Sequence, residues 1–271
     1  MKKIETSNQI KIAYQDVGTG IPIILIHGLD GNLAAFYSLK NELRKYYRVI
    51  VYDVRGHGKS TRPISYNLND HIKDLNILMQ QLDIKSAHLL GHDMGGIIAE
   101  AFTEKHKDKV RSLTIISSKS EDIVHGFTKL IIEHQDEVAG FNKSEALLIL
   151  FSHIYKKSDV AMKWFQRQHL YSKQDDEDSA VASRALLDTE NHSKTVTRDI
   201  NVPIMIVDGR YDPIIINKEN QQIENQFKNI NYVLFNESGH APHIEEEEKF
   251  LTLYLNFLEK NDSSNTTNFL T

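Results

Sequence analysis

Four continuous apolar runs, at residues 21–26, 49–52, 87–90 and 113–116, read as strands buried on both faces. Residues 10–14 alternate apolar and polar and predict an edge strand. Between the runs, Leu68, Ile72, Leu75, Leu78, Met79 and Leu82 recur three and four apart. That spacing gives a helix with one apolar face. A second helix, around residues 97–102, continues directly from a glycine-rich turn. Strand and helix in alternation predict an α/β fold with a mostly parallel central sheet flanked by helices.

The rhythm breaks after Ser118. Residues 119–198 hold no strand pattern and instead give helical segments at 127–137, 144–155 and 160–170, followed by a charged link at 175–178. Strands resume at 202–207 and 232–235, and a last helix carries Phe250, Leu251, Tyr254, Phe257 and Leu258. The expected organisation is one core, 1–118 and 199–260, interrupted by a helical insertion at 119–198. Residues 261–271 are polar and are expected to be a disordered tail.

Composition narrows the chemistry. With 40% hydrophobic and 25% charged residues over 271 positions, the chain can bury a sizeable core. Lys and Arg number 32 against 37 Asp and Glu, a net charge of −5, which gives no attraction for phosphate backbones, so no nucleic-acid partner is expected. No run approaches a membrane span, and Lys2 and Lys3 precede no apolar stretch, so a cytoplasmic protein acting on a small-molecule substrate is expected, with no membrane partner. Nothing in the pattern fixes an oligomeric state. Cysteine is absent. A nucleophile must therefore be Ser, Thr, Lys or a carboxylate.

The sharpest motif is Leu89-Leu90-Gly91-His92-Asp93-Met94-Gly95-Gly96, which follows one strand and opens a helix. Glycines two before and two after a central residue permit a tight strand-to-helix turn that pushes that side chain into a pocket. Four more segments accompany it in order: His27-Gly28-Leu29-Asp30, Asp53-Val54-Arg55-Gly56-His57-Gly58-Lys59-Ser60, Gly209-Arg210-Tyr211-Asp212 and Ser238-Gly239-His240. Over about residues 8–260 this pattern resembles the α/β-hydrolase superfamily. The resemblance implies Asp93 as nucleophile where serine is usual, Asp212 as the acid with Asp208 a decoy, and His240 as the histidine. It also implies an oxyanion hole from the Leu29 and Met94 amides, a lid formed by the insertion, and no cofactor.

An aspartate at the elbow changes the expected reaction. With a reference pKa near 3.9 it is already ionised, so it can attack a saturated electrophilic carbon and form an alkyl ester. His240 is then free to activate the water that cleaves it. Epoxide hydrolases and haloalkane dehalogenases in this superfamily work in this way, and the epoxide type is slightly favoured. The flanks depart from both: no Pro follows Gly28-Leu29, and Met94 stands where Trp is common. Alternatives are a carboxylesterase-like acyl hydrolase with its serine replaced, a haloalkane dehalogenase, and a non-catalytic ligand-binding protein. Intact acid and histidine positions favour catalysis.

The insertion can supply an apolar roof from Phe127, Leu130, Ile131, Phe151, Tyr155, Trp164 and Phe165. Tyr155, Trp164 and Tyr171 are the expected substrate contacts, the two tyrosines as hydroxyl donors to an epoxide oxygen. The remaining histidines of the motifs, His27, His57 and His92, read as turn-holding residues. His240 and His243 lack the companions of a metal site, so no metal is expected. The acidic run at 245–248 reads as a solvated helix start.

Overall fold

A computed structural model describes residues 1–7, 9–118, 123–187, 201–215 and 230–266. Among them, eight strands form one sheet: β1 (Lys2–Ser7), β2 (Ile10–Val17), β3 (Pro22–Ile26), β4 (Arg48–Tyr52), β5 (Ala87–His92), β6 (Val110–Ile116), β7 (Ile204–Gly209) and β8 (Ile230–Phe235). Their order is β1-β2-β4-β3-β5-β6-β7-β8. The pairs β1–β2 and β2–β4 are antiparallel, and every other pair is parallel. The sheet is mostly parallel, as the alternation of strand and helix predicts.

Burial explains which strands are visible in the sequence. Ile23, Ile24, Leu25 and Ile26 of β3 are fully buried, as are Val49, Ile50 and Val51 of β4, because helices cover both faces of the sheet centre. The edge differs from expectation. β2 is the second strand, and the edge is β1, whose only buried side chains are Ile4 and Thr6. One apolar residue on its inner face is too weak a signal to announce a strand. Thr6 compensates by hydrogen bonding to the buried carboxylate of Asp74, which also pairs with Arg55 at 2.7 Å.

Helices α1 (Tyr37–Leu43), α2 (Leu68–Gln81) and α3 (Met94–Lys105) lie between the early strands. Asn67 starts α2 with a capping box: its side chain accepts the Asp70 N–H while Asp70 accepts the Asn67 N–H. Between β6 and β7 the described chain is helical, with α4 (Ile123–Glu133), α5 (Gln135–Val138), α6 (Lys143–Ile149), α7 (Phe151–Ile154), α8 (Ser158–Tyr171) and α9 (Asp176–Leu187). The expected limits of this insertion, 119 and 198, lie outside the described residues. The charged stretch at 175–178 is not a link. It opens α9, where the Asp175 carboxylate accepts the Asp178 N–H at 2.8 Å and three acids stand in the first turn. Negative charge there offsets the helix dipole.

After β8 come α10 (Pro242–Glu245) and α11 (Glu247–Thr266). The expected tail therefore fails as far as Thr266, with 267–271 outside the described residues. Asp262 anchors that extension: it lies 3.0 Å from His88 Nε2 and accepts the Tyr47 hydroxyl at 3.1 Å. A polar stretch can continue a helix when one of its acids finds buried partners. No helix among the described residues is long and apolar enough to cross a membrane.

Candidate active site

The site lies at the carboxyl ends of β5, β7 and β8. Between β5 and α3, Asp93 adopts φ 53° and ψ −123°, a conformation that L side chains rarely take. The turn closes only because two glycines flank it. A Cβ on Gly91 would strike the Gly95 carbonyl, and one on Gly95 would strike the Ile26 carbonyl. The Ser118 hydroxyl, donating to the Asp93 carbonyl at 2.6 Å, ties the elbow to the end of β6.

His240 follows β8 and faces two carboxylates. Its Nδ1–H donates to Asp212 Oδ2 at 2.9 Å, while Nε2 stands 3.7 Å from Asp93 Oδ1. Asp212 is fixed in turn by the Ile214 and Ile215 N–H groups, which donate to its Oδ1 at 2.8 and 3.3 Å. The other oxygen of the Asp93 carboxylate, Oδ2, accepts the Leu29 N–H at 2.8 Å, and the Met94 N–H stabilises the same carboxylate. Asp93, Asp212, His240, Leu29 and Met94 thus converge. Asp208, the decoy, lies at the end of β7.

The charges are mutually supporting. Burial opposes ionisation of Asp93, but contacts with His240, then His92 and the Met94 amide, hold its pKa below the usual value. Burial likewise opposes a charged His240, yet Asp212 and Asp93 together push its pKa up to about 10. At neutral pH the histidine is an imidazolium held between two carboxylates.

A cavity of about 370 Å³ opens above Asp93 and His240. Phe127, Phe151, Tyr155, Trp164 and Phe165 line it, as expected for an apolar roof; Leu130 is packed in the core instead, and Ile131 packs against that core without lining the cavity. Two expected contacts change meaning. Trp164 lines the cavity, but its Nε1–H donates to the Ala35 carbonyl at 2.8 Å and is not available to a ligand. Tyr171 does not line the cavity. It sits at the end of α8, with its hydroxyl 2.9 Å from Asp53 Oδ2, because the pitch of α8 carries it away from the roof. Tyr155, just after α7, is buried and lines the cavity; burial and then the Asp93 carboxylate raise its pKa, so its hydroxyl stays protonated.

Two supports of the site leave no mark along the chain. Glu245 is buried, against the expectation of a solvated acid. Its carboxylate accepts the Gly239 and Ala241 N–H groups at 3.0 and 3.2 Å and the Lys157 N–H at 2.8 Å, so it shapes the loop on both sides of His240. His92 does more than hold a turn: it lines the cavity, and its Nε2 lies 2.8 Å from the His240 carbonyl. A run of four acids hides which of them fold inward, and a histidine beside the elbow carries no mark of its direction.

Buried histidines make an acid-sensitive interior. Burial first, and then neighbouring histidines, lower the pKa of His71 to about 3 and of His92 to about 4, and His27 and His243 also fall well below 6.5. Neither ring nitrogen of His243 has a hydrogen-bond partner, so charging it is especially costly. Because these folded-state values are depressed, the unfolded chain binds more protons below pH 6.5 and stability falls as pH drops. His71 and His92 alone predict a loss of about 3 kcal/mol between pH 6.5 and 5, the slope for each steepening toward about 1.4 kcal/mol per pH unit below the unfolded pKa. His240 acts oppositely: its stabilisation is complete below pH 6.5 and fades as pH rises toward about 10. Calorimetry should show a markedly lower melting temperature at pH 5 than at pH 7; equal values would contradict this balance.

Comparison with known proteins places these features in a wider group. The family described as alpha/beta hydrolase fold matches residues 21–141. The chain is 29% identical to the "AB hydrolase superfamily protein YisY" of Bacillus subtilis (strain 168), over 94% of this chain and 97% of that one. It is 26% identical to the 2-hydroxymuconate semialdehyde hydrolase of Pseudomonas sp. (strain CF600), over 94% and 93%. Among solved structures, a thermophilic esterase from Thermogutta terrifontis shares the fold with a TM-score of 0.78 at 24% identity, over 96% and 98% of the two chains.

Proposed function

We propose that this chain, a hydrolase of the α/β-hydrolase superfamily, cleaves a small apolar electrophile through an ester formed on Asp93, with an epoxide as the best-fitting substrate class. The observation that carries this reading is the split environment of the Asp93 carboxylate. Oδ2 rests on the Leu29 amide, where the negative charge of a tetrahedral intermediate would collect, and Oδ1, on a residue that lines the cavity, stands 3.7 Å from His240 Nε2.

In the first step Oδ1 bonds to a ring carbon and that carbon's bond to the ring oxygen breaks. The ring oxygen takes the Tyr155 hydroxyl proton. Esterification also removes one of the two negative charges holding His240 protonated, so the imidazolium returns a proton to Tyr155 and becomes a base. Water then loses a proton to His240 as its oxygen bonds to the Asp93 carbonyl carbon, and the oxyanion forms on Oδ2 beside the Leu29 and Met94 amides. Collapse breaks the bond to Oδ1, and the departing diol oxygen takes the His240 proton. The new carboxylic proton of Asp93 passes to His240, restoring the starting charges. The sum is epoxide plus water to diol.

Epoxide opening is favoured over dehalogenation because Tyr155 offers a hydroxyl in the cavity, while the indole N–H of Trp164, the chain's one tryptophan, is bound to Ala35. The helices α4 to α9 would serve as the lid. A second reading, acyl hydrolysis, draws on the names of the semialdehyde hydrolase and esterase above. Against it, Asp93 Oδ2 fills the place a substrate carbonyl oxygen needs. Turnover of a panel of aryl and alkyl epoxides to diols, followed by chromatography, tests the proposal. Cleavage of p-nitrophenyl esters that depends on Asp93, with no diol from any epoxide, would overturn it.

A further inference from the structure

Away from the cavity floor, three side chains of the helical insertion gather on its outer surface: His134 between α4 and α5, Glu137 on α5, and His153 on α7. One ligand atom from each lies within 4.8 Å of the other two. The Glu137 carboxylate is shared: Oε1 lies 2.7 Å from His134 Nδ1 and Oε2 lies 3.3 Å from His153 Nε2. The two imidazole rings stand 3.8 Å apart, tilted by 34°. We propose that His134, Glu137 and His153 form a binding site for a divalent transition metal of the zinc type, which would clamp α7 to the α4–α5 corner.

The donor set selects the metal. Two imidazole nitrogens and one carboxylate oxygen suit zinc, nickel or copper, whereas calcium and magnesium prefer oxygen ligands throughout. Three protein ligands leave a position for water, and zinc accepts that coordination. Both histidines are part-exposed, at 25% and 35%, so an ion can reach them and the rings can close around it. Neutral histidine has one lone pair to give, and a shift of the ring proton to the outward nitrogen presents it at the shared carboxylate without loss of a proton. With no cysteine in the chain, no thiolate competes for the ion.

The position has a consequence for the cavity. The helix that bears His153 also bears Phe151 and Ile154, and α4 bears Phe127 and Thr128, all four of which line the cavity wall. A metal joining α7 to the α4–α5 corner would hold two parts of that wall together.

Isothermal titration of the chelator-treated full chain with zinc chloride at pH 7.5 tests the site independently of the reaction assigned to Asp93. One equivalent is expected to bind saturably, and His134→Ala, His153→Ala and Glu137→Gln are each expected to weaken binding by about tenfold or more. His106→Ala, a change at a histidine distant in sequence, is expected to leave binding intact. Magnesium should neither bind nor compete. Absence of saturable binding up to millimolar zinc, or binding undiminished in the His134→Ala/His153→Ala double variant with its circular dichroism unchanged, would overturn the proposal.

Discussion

A His240→Ala variant given an epoxide is expected to complete the first chemical step and stop, leaving a covalent adduct on the peptide that contains Asp93. The expectation follows from the separation of roles at the elbow. Asp93 needs no base to attack, since a carboxylate is ionised at neutral pH; with His240 gone, His92 and the Leu29 and Met94 amides still favour its charged form against burial. The ester, in contrast, needs a base to activate water, and His240 is the histidine whose Nε2 faces Asp93 while its Nδ1–H is held by Asp212. Loss of a positioned general base slows such a step by about a hundred- to ten-thousand-fold. Intact-protein mass spectrometry should therefore show one equivalent of adduct accumulating within minutes in the variant and only traces in the parent. Removing His240 also removes a positive charge beside Asp93, so the rate of the first step is a second readout. It should fall far less than the rate of the second.

Exchange of the elbow residue itself should change the class of reaction. Asp93→Ser is expected to lose epoxide opening, because a serine hydroxyl has no ionised oxygen at neutral pH, and to gain hydrolysis of short p-nitrophenyl esters. The parent cannot use its oxyanion hole fully for a substrate carbonyl, because the Leu29 amide is occupied by the Asp93 carboxylate. A shorter serine vacates that place. It also removes one of the two carboxylates that keep His240 protonated, so the histidine becomes available to take the serine proton. One recovered oxyanion donor is worth about a hundred- to a thousand-fold in kcat. An increase of about that size in ester hydrolysis over the parent, measured by p-nitrophenolate release, is expected. Equal ester hydrolysis in parent and variant would indicate that the amides are not the limiting feature.

The central strands were legible because their residues are apolar on both faces, and the elbow was legible because its geometry needs glycine at fixed places. β1 was not, since Thr6 replaces an apolar residue on its inner face and is satisfied by Asp74 across the sheet edge. The start of α9 reads as a link because its acids mark solvent as readily as a helix N-terminus. Glu245 was hidden for a similar reason: nothing along the chain distinguishes the carboxylate that folds under the His240 loop from Glu247 and Glu248 beside it.

The candidate site shows the same division. Asp93, Asp212 and His240 occupy turns whose local sequence is distinctive, and the fold brings them together. Tyr155 and Tyr171 look alike as insertion tyrosines, and only the direction of each segment separates them: one enters the cavity and the other bonds to Asp53. Trp164 lines the cavity, but the use of its N–H is set by Ala35, far along the chain, where no local pattern shows it. His134, Glu137 and His153 show no local pattern, because the third of them arrives from another helix.

The most direct test of an Asp93 ester is a single turnover of an epoxide in water enriched in heavy oxygen, with enzyme in excess. If Asp93 attacks the substrate and water then attacks the Asp93 carbonyl, the diol carries light oxygen from the protein and the Asp93 peptide gains one heavy oxygen. Heavy oxygen in the diol with none on Asp93 would mean that water attacks the substrate directly, and would contradict the account.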